Sequence, residues 1–281
     1  MQNTKRQHYV PQFYLKKFRD KQSDSVYIFN KNTKKIYKSN IRDVCVESNF
    51  FTFNSEFDDL DVLKTHLIIN NPDLYDTNIS DTDFTKKLPF TLENLLAKDL
   101  EARASDILDS ILNNKNLKNL SSDEFVHFIE WVAWIFIANP TNKKFIQEKY
   151  SHLDLSNLDI MQQFLNLHKK ILPLFYEREW IVCHIESHNF ILFTSDNPIT
   201  LLSLNLQELV TIKNADIIYF PLSPKIFLYG KKQNLNTTPA NKPIDLKELF
   251  KIYIVAFLNA SQFIISNSKQ NLKNVLKNFE S

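Results

Sequence analysis

Ser121-Ser122-Asp123-Glu124-Phe125-Val126-His127-Phe128-Ile129-Glu130-Trp131-Val132-Ala133-Trp134-Ile135-Phe136-Ile137-Ala138-Asn139-Pro140 is the stretch whose reading organises the chain. It opens with a capping box, with Ser121 and Glu124 in the reciprocal positions. Its apolar residues then run almost all the way round a helix. A helix without a polar face is buried, so this one is expected at the centre, with Pro140 following its end. Upstream, after Pro89, Leu92, Leu95, Leu96, Leu100, Ala104, Ile107, Leu108, Ile111 and Leu112 recur at helical spacing. Downstream, a third helix is expected from about Asn157 to Tyr176.

Strand patterns lie on both sides of this helical middle. Val26 to Phe29 and Lys35 to Lys38 read as a hairpin around 30–34, and Phe50 to Phe53 as a further strand. Trp180 to Ile185 and Phe190 to Ser195 read as a second hairpin turning near 187–189. Ile217 to Phe220, Ile226 to Tyr229 and Phe263 to Ser266 complete the set, with a helix from about Leu246 to Leu258. The 231–242 stretch, rich in Asn, Thr and Pro, reads as an exposed loop. The expected fold class is α+β, with N-terminal β elements and a C-terminal mixed or antiparallel sheet around a helical middle. The expectation is one domain over 1–281, with 89–176 a mainly helical subdomain.

Composition removes several function classes. Gly230 is the only glycine. A P-loop or a dinucleotide fingerprint needs glycines where backbone approaches phosphate, so neither is present. The nucleophile elbow of an α/β-hydrolase is also unsupported. Turns are expected to rely on Asn, Asp, Ser and Pro instead. Cys45 and Cys183 stand alone, which argues against a thiolate zinc site and fits a reducing cytoplasm. A net charge of +2 at pH 7 creates no global field for nucleic acid. The N-terminus has no apolar signal core, and the run from Trp131 to Ala138 is too short to span a bilayer. No membrane association and no cofactor are expected.

Two polar clusters sit in apolar frames. One is His8-Tyr9-Val10-Pro11-Gln12-Phe13-Tyr14-Leu15-Lys16-Lys17-Phe18. The other is Phe193-Thr194-Ser195-Asp196-Asn197-Pro198-Ile199, with Phe220-Pro221-Leu222-Ser223-Pro224 following. Buried polar groups need partners, and meeting in one place would satisfy both clusters. His8, before the Val10-Pro11 kink, is the leading acid–base candidate, against the alternative of an exposed terminal histidine. Ser195, Asp196 and Asn197 end an apolar strand, where a rigid element would hold catalytic groups; the alternative is an Asx-turn. Asn259 is either a helix C-cap or a further site residue. Lys16, Lys17 and Arg19 with Phe13, Tyr14 and Phe18 form either a strand-binding mix of basic and aromatic residues or an amphipathic helix. His184 and His188 read as surface residues.

These residues resemble the domain-of-unknown-function 4238 family of bacteria. The resemblance lies in His8–Leu15, in Trp180 with Thr194–Pro198, in Phe220–Pro224 and in Asn259-Ala260. Where the family tends to carry Arg-Thr-Pro after its central helix, this chain has Asn139-Pro140-Thr141, and so lacks that arginine there unless Lys143 or Lys144 takes its place. The resemblance implies an anti-phage defence effector, and a nuclease is the commonest kind.

The first expectation is therefore a toxic effector that cleaves RNA, tRNA included, through a His/Asp site without bound metal. RNA carries its own nucleophile, the 2′-hydroxyl. His8 would move the proton, Asp196 would orient it, and Asn197 and Asn259 would donate to oxygens. Gln12, Ser195, Lys16 and Lys17 would hold the substrate. RNA and a phage-derived trigger are the expected partners, and a homo-oligomer is compatible with the sequence. The alternative is a non-catalytic sensor or binding module, its motifs structural. An enzyme modifying a nucleotide or small molecule is a third class.

Overall fold

A computed structural model describes residues 6–48, 50, 80–83, 100–151, 157–187, 190–203, 210–232 and 246–280. The fold is α+β. Among the described residues it begins with β1 (Arg6–His8), a short helix α1 (Gln12–Leu15) and a 3-10 turn over Lys16–Phe18. β2 (Ser25–Asn30) and β3 (Lys35–Asn40) follow, then a 3-10 turn over Ile41–Asp43 and β4 (Val46–Ser48). The helical middle comprises α2 (Arg103–Asn114), α3 (Ser122–Ile137), α4 (Pro140–Lys149) and α5 (Asn157–Tyr176). Then come β5 (Arg178–His184), β6 (Thr194–Ser195), β7 (Thr200–Leu202), β8 (Ile217–Ser223) and β9 (Ile226–Lys232). α6 (Leu246–Asn259), β10 (Phe263–Ser266) and α7 (Lys269–Glu280) complete the order.

The described strands form three sheets: β1-β4, β3-β2-β10-β6 and β5-β9-β8-β7. Each recorded pairing is antiparallel. Strand alternation feeds two apolar cores. Ile218, Phe220 and Leu222 of β8 face the core that holds α3, while Ile217 and Tyr219 face the one that holds α6 and α7. β9 divides in the same way, Leu228 to one side and Phe227 and Tyr229 to the other. In β10, Ile265 goes with the first core and Ile264 with the second.

α3 occupies the centre as its composition demands. Phe128, Ile129, Trp131, Val132, Ala133 and Ile137 are fully buried. Its capping box is formed in both directions. Asn139 then caps α4 by accepting from the Asn142 amide at 3.0 Å. The side-chain amides of Asn139 and Asn142 turn back to the α3 carbonyls of Phe136 and Ile137. Asn139-Pro140 thus closes one helix and opens the next.

Two expectations are corrected. Residues 190–195 do not return against β5. β5 pairs with β9 along its whole length, whereas Thr194 and Ser195 pair with β10 in the other sheet. Chain proximity suggested a hairpin, but Leu192 donates to Pro224 O at 2.9 Å and the segment crosses between sheets. Left-handed backbone is also not left to Asn or Asp among the described residues. Lys34, Cys45 and Lys115 take it, with φ of 57°, 53° and 57°. At Lys115 the conformation lets the backbone N–H close α2 on Ile111 O at 2.7 Å. The expected helix turns over 89–99, the strand residues 51–53, His188 and most of the 231–242 loop lie outside the described residues.

Candidate functional site

The three polar segments do meet, through a buried hydroxyl. The Tyr14 ring is fully buried and stacks on Phe220, 5.0 Å between centroids. Its hydroxyl lies 2.6 Å from Thr194 Oγ1 and donates to Pro221 O at 2.7 Å. One side chain therefore joins the N-terminal segment, the Thr194–Pro198 segment and the Phe220–Pro224 strand. This node is structural: its atoms face each other, with Tyr14 and Thr194 buried.

Asp196 is spent in the same manner. It is 2% exposed. Its Oδ1 accepts from Ser261 N at 2.9 Å, and its Oδ2 from Gln262 N at 2.7 Å and Phe263 N at 3.1 Å. Burial pushes its carboxyl pKa up, against the three amides and Lys31, which pull it down. Asn197 and Asn259 complete the clamp. Asn197 Nδ2 donates to Asn259 O at 3.3 Å, and Asn259 Nδ2 donates to Asn197 O at 3.2 Å and Ile199 O at 3.0 Å. The Ser195 hydroxyl accepts from Asn197 N at 3.1 Å. Lys31 closes the end of α6, its ammonium donating to the carbonyls of Phe257, Leu258 and Ala260. Cation and helix C-terminus suit one another there.

His8 stands apart from this clamp. No hydrogen bond or ion pair joins it to Asp196 among the described residues. β1 alternation explains the separation. Tyr9, the next residue, carries its hydroxyl to the Cys45 thiol in the neighbourhood of Asp196, and burial raises both Tyr9 and Cys45 in pKa. His8 faces other company. Its Nδ1 is 3.5 Å from Gln12 Nε2. Its Nε2 is buried without a hydrogen-bond partner, although the backbone of Ile41 and Arg42 lies close enough to favour the protonated ring. Desolvation outweighs that influence and lowers the His8 pKa; Arg6 pushes the same way and Asp43 opposes.

The sequence reading missed the groups around His8. Arg6 donates to Asp43 Oδ1 at 2.9 Å, and Arg42 Nε lies 3.7 Å from Asp43 Oδ2. Both guanidinium groups are exposed, at 58% and 76% of their side chains. The neighbouring carboxylate of His8 is thus Asp43 rather than Asp196. The register of β1 against β4 sets this arrangement, with His8 opposite Val46 and the Ile41–Asp43 turn leading into β4.

The expected phosphate lysines divide. Lys17 is paired with Asp109, whereas Lys16 is exposed and has no ion pair among the described residues. Of the two substitutes for the family arginine, Lys143 turns inward, 8% exposed, to Glu47 at 2.6 Å and over the Phe50 ring at 4.7 Å. Lys144 stays outside, 3.6 Å from Glu148. His184 donates from Nε2 to Lys115 O at 3.0 Å. Glu101 was also missed. It lies in a π turn leading into α2, and burial pushes its carboxyl up to about 7. The signal was present: Glu101 sits three residues before Ala104 and seven before Leu108, on the apolar stripe. No group of three His, Cys, Asp or Glu is placed to hold a metal ion among the described residues.

The chain belongs to the family described as "Protein of unknown function (DUF4238)", whose model matches residues 6–270. No curated protein and no solved structure matches it. Among the described residues no helix is long and apolar enough to cross a membrane.

Proposed function

We propose that this protein is an antiviral defence effector that cleaves RNA in the cytoplasm after a phage-derived trigger, with His8 as its acid–base group. The observation that carries the reading is the half-buried His8 ring, its Nδ1 turned to the exposed Gln12, with Arg6 and Asp43 near it and Arg42 on the far side of Asp43. The lowered pKa keeps the imidazole neutral at neutral pH, as a base must be. The buried Nε2, with the backbone of Ile41 and Arg42 close by, carries the proton, and this leaves Nδ1, beside the exposed Gln12, as the acceptor. His8 would take the 2′-hydroxyl proton while that oxygen bonds the adjacent phosphorus. The bond from phosphorus to the 5′-oxygen breaks, and that oxygen takes a proton from the imidazolium. Arg6 and Arg42 would donate to the non-bridging oxygens, with Asp43 holding both guanidinium groups in place. Gln12 and Lys16 lie on the segment that follows. Asp196, Asn197, Ser195 and Asn259 support the site by fastening the chain rather than by touching substrate.

The test mixes host total RNA with the protein and with the His8→Ala and Arg42→Gln variants, with and without a chelator. Defined fragments from wild type are expected in both conditions. His8→Ala should lose about a hundredfold or more in rate, the usual worth of a general base. His8→Ala cutting at the wild-type rate would overturn the assignment.

A second reading is a non-catalytic binding module of a defence system. It is favoured by the use of both Asp196 carboxylate oxygens and of the Asn197 and Asn259 Nδ2 groups in hydrogen bonds to backbone. Under this reading wild type leaves RNA intact, and His8→Gln keeps the protective phenotype in infected cells.

A further inference from the structure

Between α4 and α5 lies a groove of about 190 Å³. We propose that it holds single-stranded RNA, one base stacked on Phe145 and the backbone led past Lys149 and Lys170. The substrate class rests on the ribonuclease reading above; occupancy of the groove is measured apart from cleavage.

The lining carries the chemistry. Phe145 is 62% exposed, an unusual state for a large aromatic ring. Lys149 and Lys170 line the groove, and no Asp or Glu does so among the described residues. Nearby cations are already neutralised: Lys144 by Glu148 and Lys143 by Glu47. Lys149 and Lys170 have no ion pair among the described residues, and Lys149 Nζ sits 5.3 Å from the centre of the Tyr150 ring. The Gln163 side-chain amide on the lining adds a donor and an acceptor that suit base edges and the 2′-hydroxyl. Aromatic platform, unpaired cations and an amide together are how proteins hold single strands.

The size fits a strand better than a compact ligand. Drug-sized pockets run to about 300–1,000 Å³. A volume of 190 Å³ takes one planar ring, so the remainder of the ligand must extend along the surface. The groove also adjoins the His8 region through α4. Asn142 faces the groove while its neighbour Lys143 reaches Glu47 on β4, the strand that pairs with β1. A strand in the groove therefore lies on the helix that touches the β1–β4 sheet.

The experiment measures fluorescence anisotropy of a labelled oligouridine and of the matching DNA on the full chain, in the His8→Ala background so that the probe survives. RNA should bind, and increasing salt should weaken binding. Phe145→Ala and the Lys149→Gln/Lys170→Gln pair should each weaken it about tenfold, the loss of one stacked base or two phosphate contacts. Photocrosslinking of 4-thiouridine RNA to the His8→Ala chain with an intact groove should label peptides containing Phe145 or Tyr150, which keeps the test sound if a groove variant misfolds. Absence of binding, or binding that both groove variants leave unchanged, overturns the proposal and leaves the groove to a protein partner. Equal binding of DNA overturns the assignment to RNA. Binding as expected, with wild type cleaving nothing, would retain the groove and remove the ribonuclease.

Discussion

Tyr14 shows how a single residue decides between catalytic and structural readings of a motif. Its hydroxyl satisfies two buried oxygens on two other segments. Tyr14→Phe keeps the ring and strands both oxygens, so about 1–3 kcal/mol of stability should be lost, read from urea midpoints. Asp196→Asn is the sharper case. It leaves one oxygen for three backbone N–H groups and turns an NH2 toward donors. The expected loss is about 2–4 kcal/mol. Folded Asp196→Asn protein should nevertheless keep its activity on RNA, because the carboxylate touches backbone and not His8. An inactive variant with a wild-type urea midpoint would return Asp196 to the reaction. The sequence placed both residues in polar clusters that need partners and set Asp196 against His8, whereas its carboxylate accepts from the main-chain amides of 261–263, which no residue type announces.

At the scale of elements, the single glycine has a packing duty rather than a conformational one. Gly230 on β9 stands opposite Trp180 on β5. A Cβ at 230 would lie 2.7–2.9 Å from the indole ring atoms. The indole has little room to yield, since its Nε1–H donates to Phe175 O at 2.8 Å and its ring stacks on Phe175. Gly230→Ala should therefore cost about 1–3 kcal/mol, seen as a lower melting temperature, and Trp180 fluorescence should shift with it. An unchanged melting temperature would show that the ring moves aside freely. The β2–β3 hairpin, the capping box of α3 and the run of α5 were legible because each is set by its own residues. The partner of β5 was not. β5, β8 and β9 each hold an apolar run within seven residues, so local pattern permits several pairings. The crossover at residues 190–195 is decided by both cores at once. The candidate site was half-legible for a related reason: His8 stood out by residue type and motif, but Arg6, Arg42 and Asp43 gather only when the β1–β4 register forms.

For the whole molecule, buried titratable groups set opposite limits on pH. His8 and His168 have pKa values lowered chiefly by desolvation. As pH falls through the ordinary 6.5, the unfolded chain binds these protons first, so their contribution to stability is lost toward acid. Glu101 acts in the other direction. Its folded carboxyl keeps a proton up to about 7, while the unfolded one releases it near 4.5. Over that interval the folded state holds more protons, so stability falls as pH rises, and the deficit is complete above about 7. Glu101→Gln replaces the carboxyl with a neutral isostere and removes the deficit. The variant should be the more stable protein above about pH 7, by about 1–3 kcal/mol after allowance for the solvent that reaches this half-buried residue. The advantage should shrink as pH falls and vanish below 4.5, where wild type is neutral in both states. Urea midpoints across that range decide it. A constant difference would mean that the amide merely packs differently, and a variant less stable at every pH would mean that the charged carboxylate is held by a partner. The same titration bears on function: an acid–base His8 requires RNA cleavage to rise with pH through its lowered pKa and level off by neutrality, a profile that Glu101→Gln should leave in place while it lifts the alkaline limb of stability.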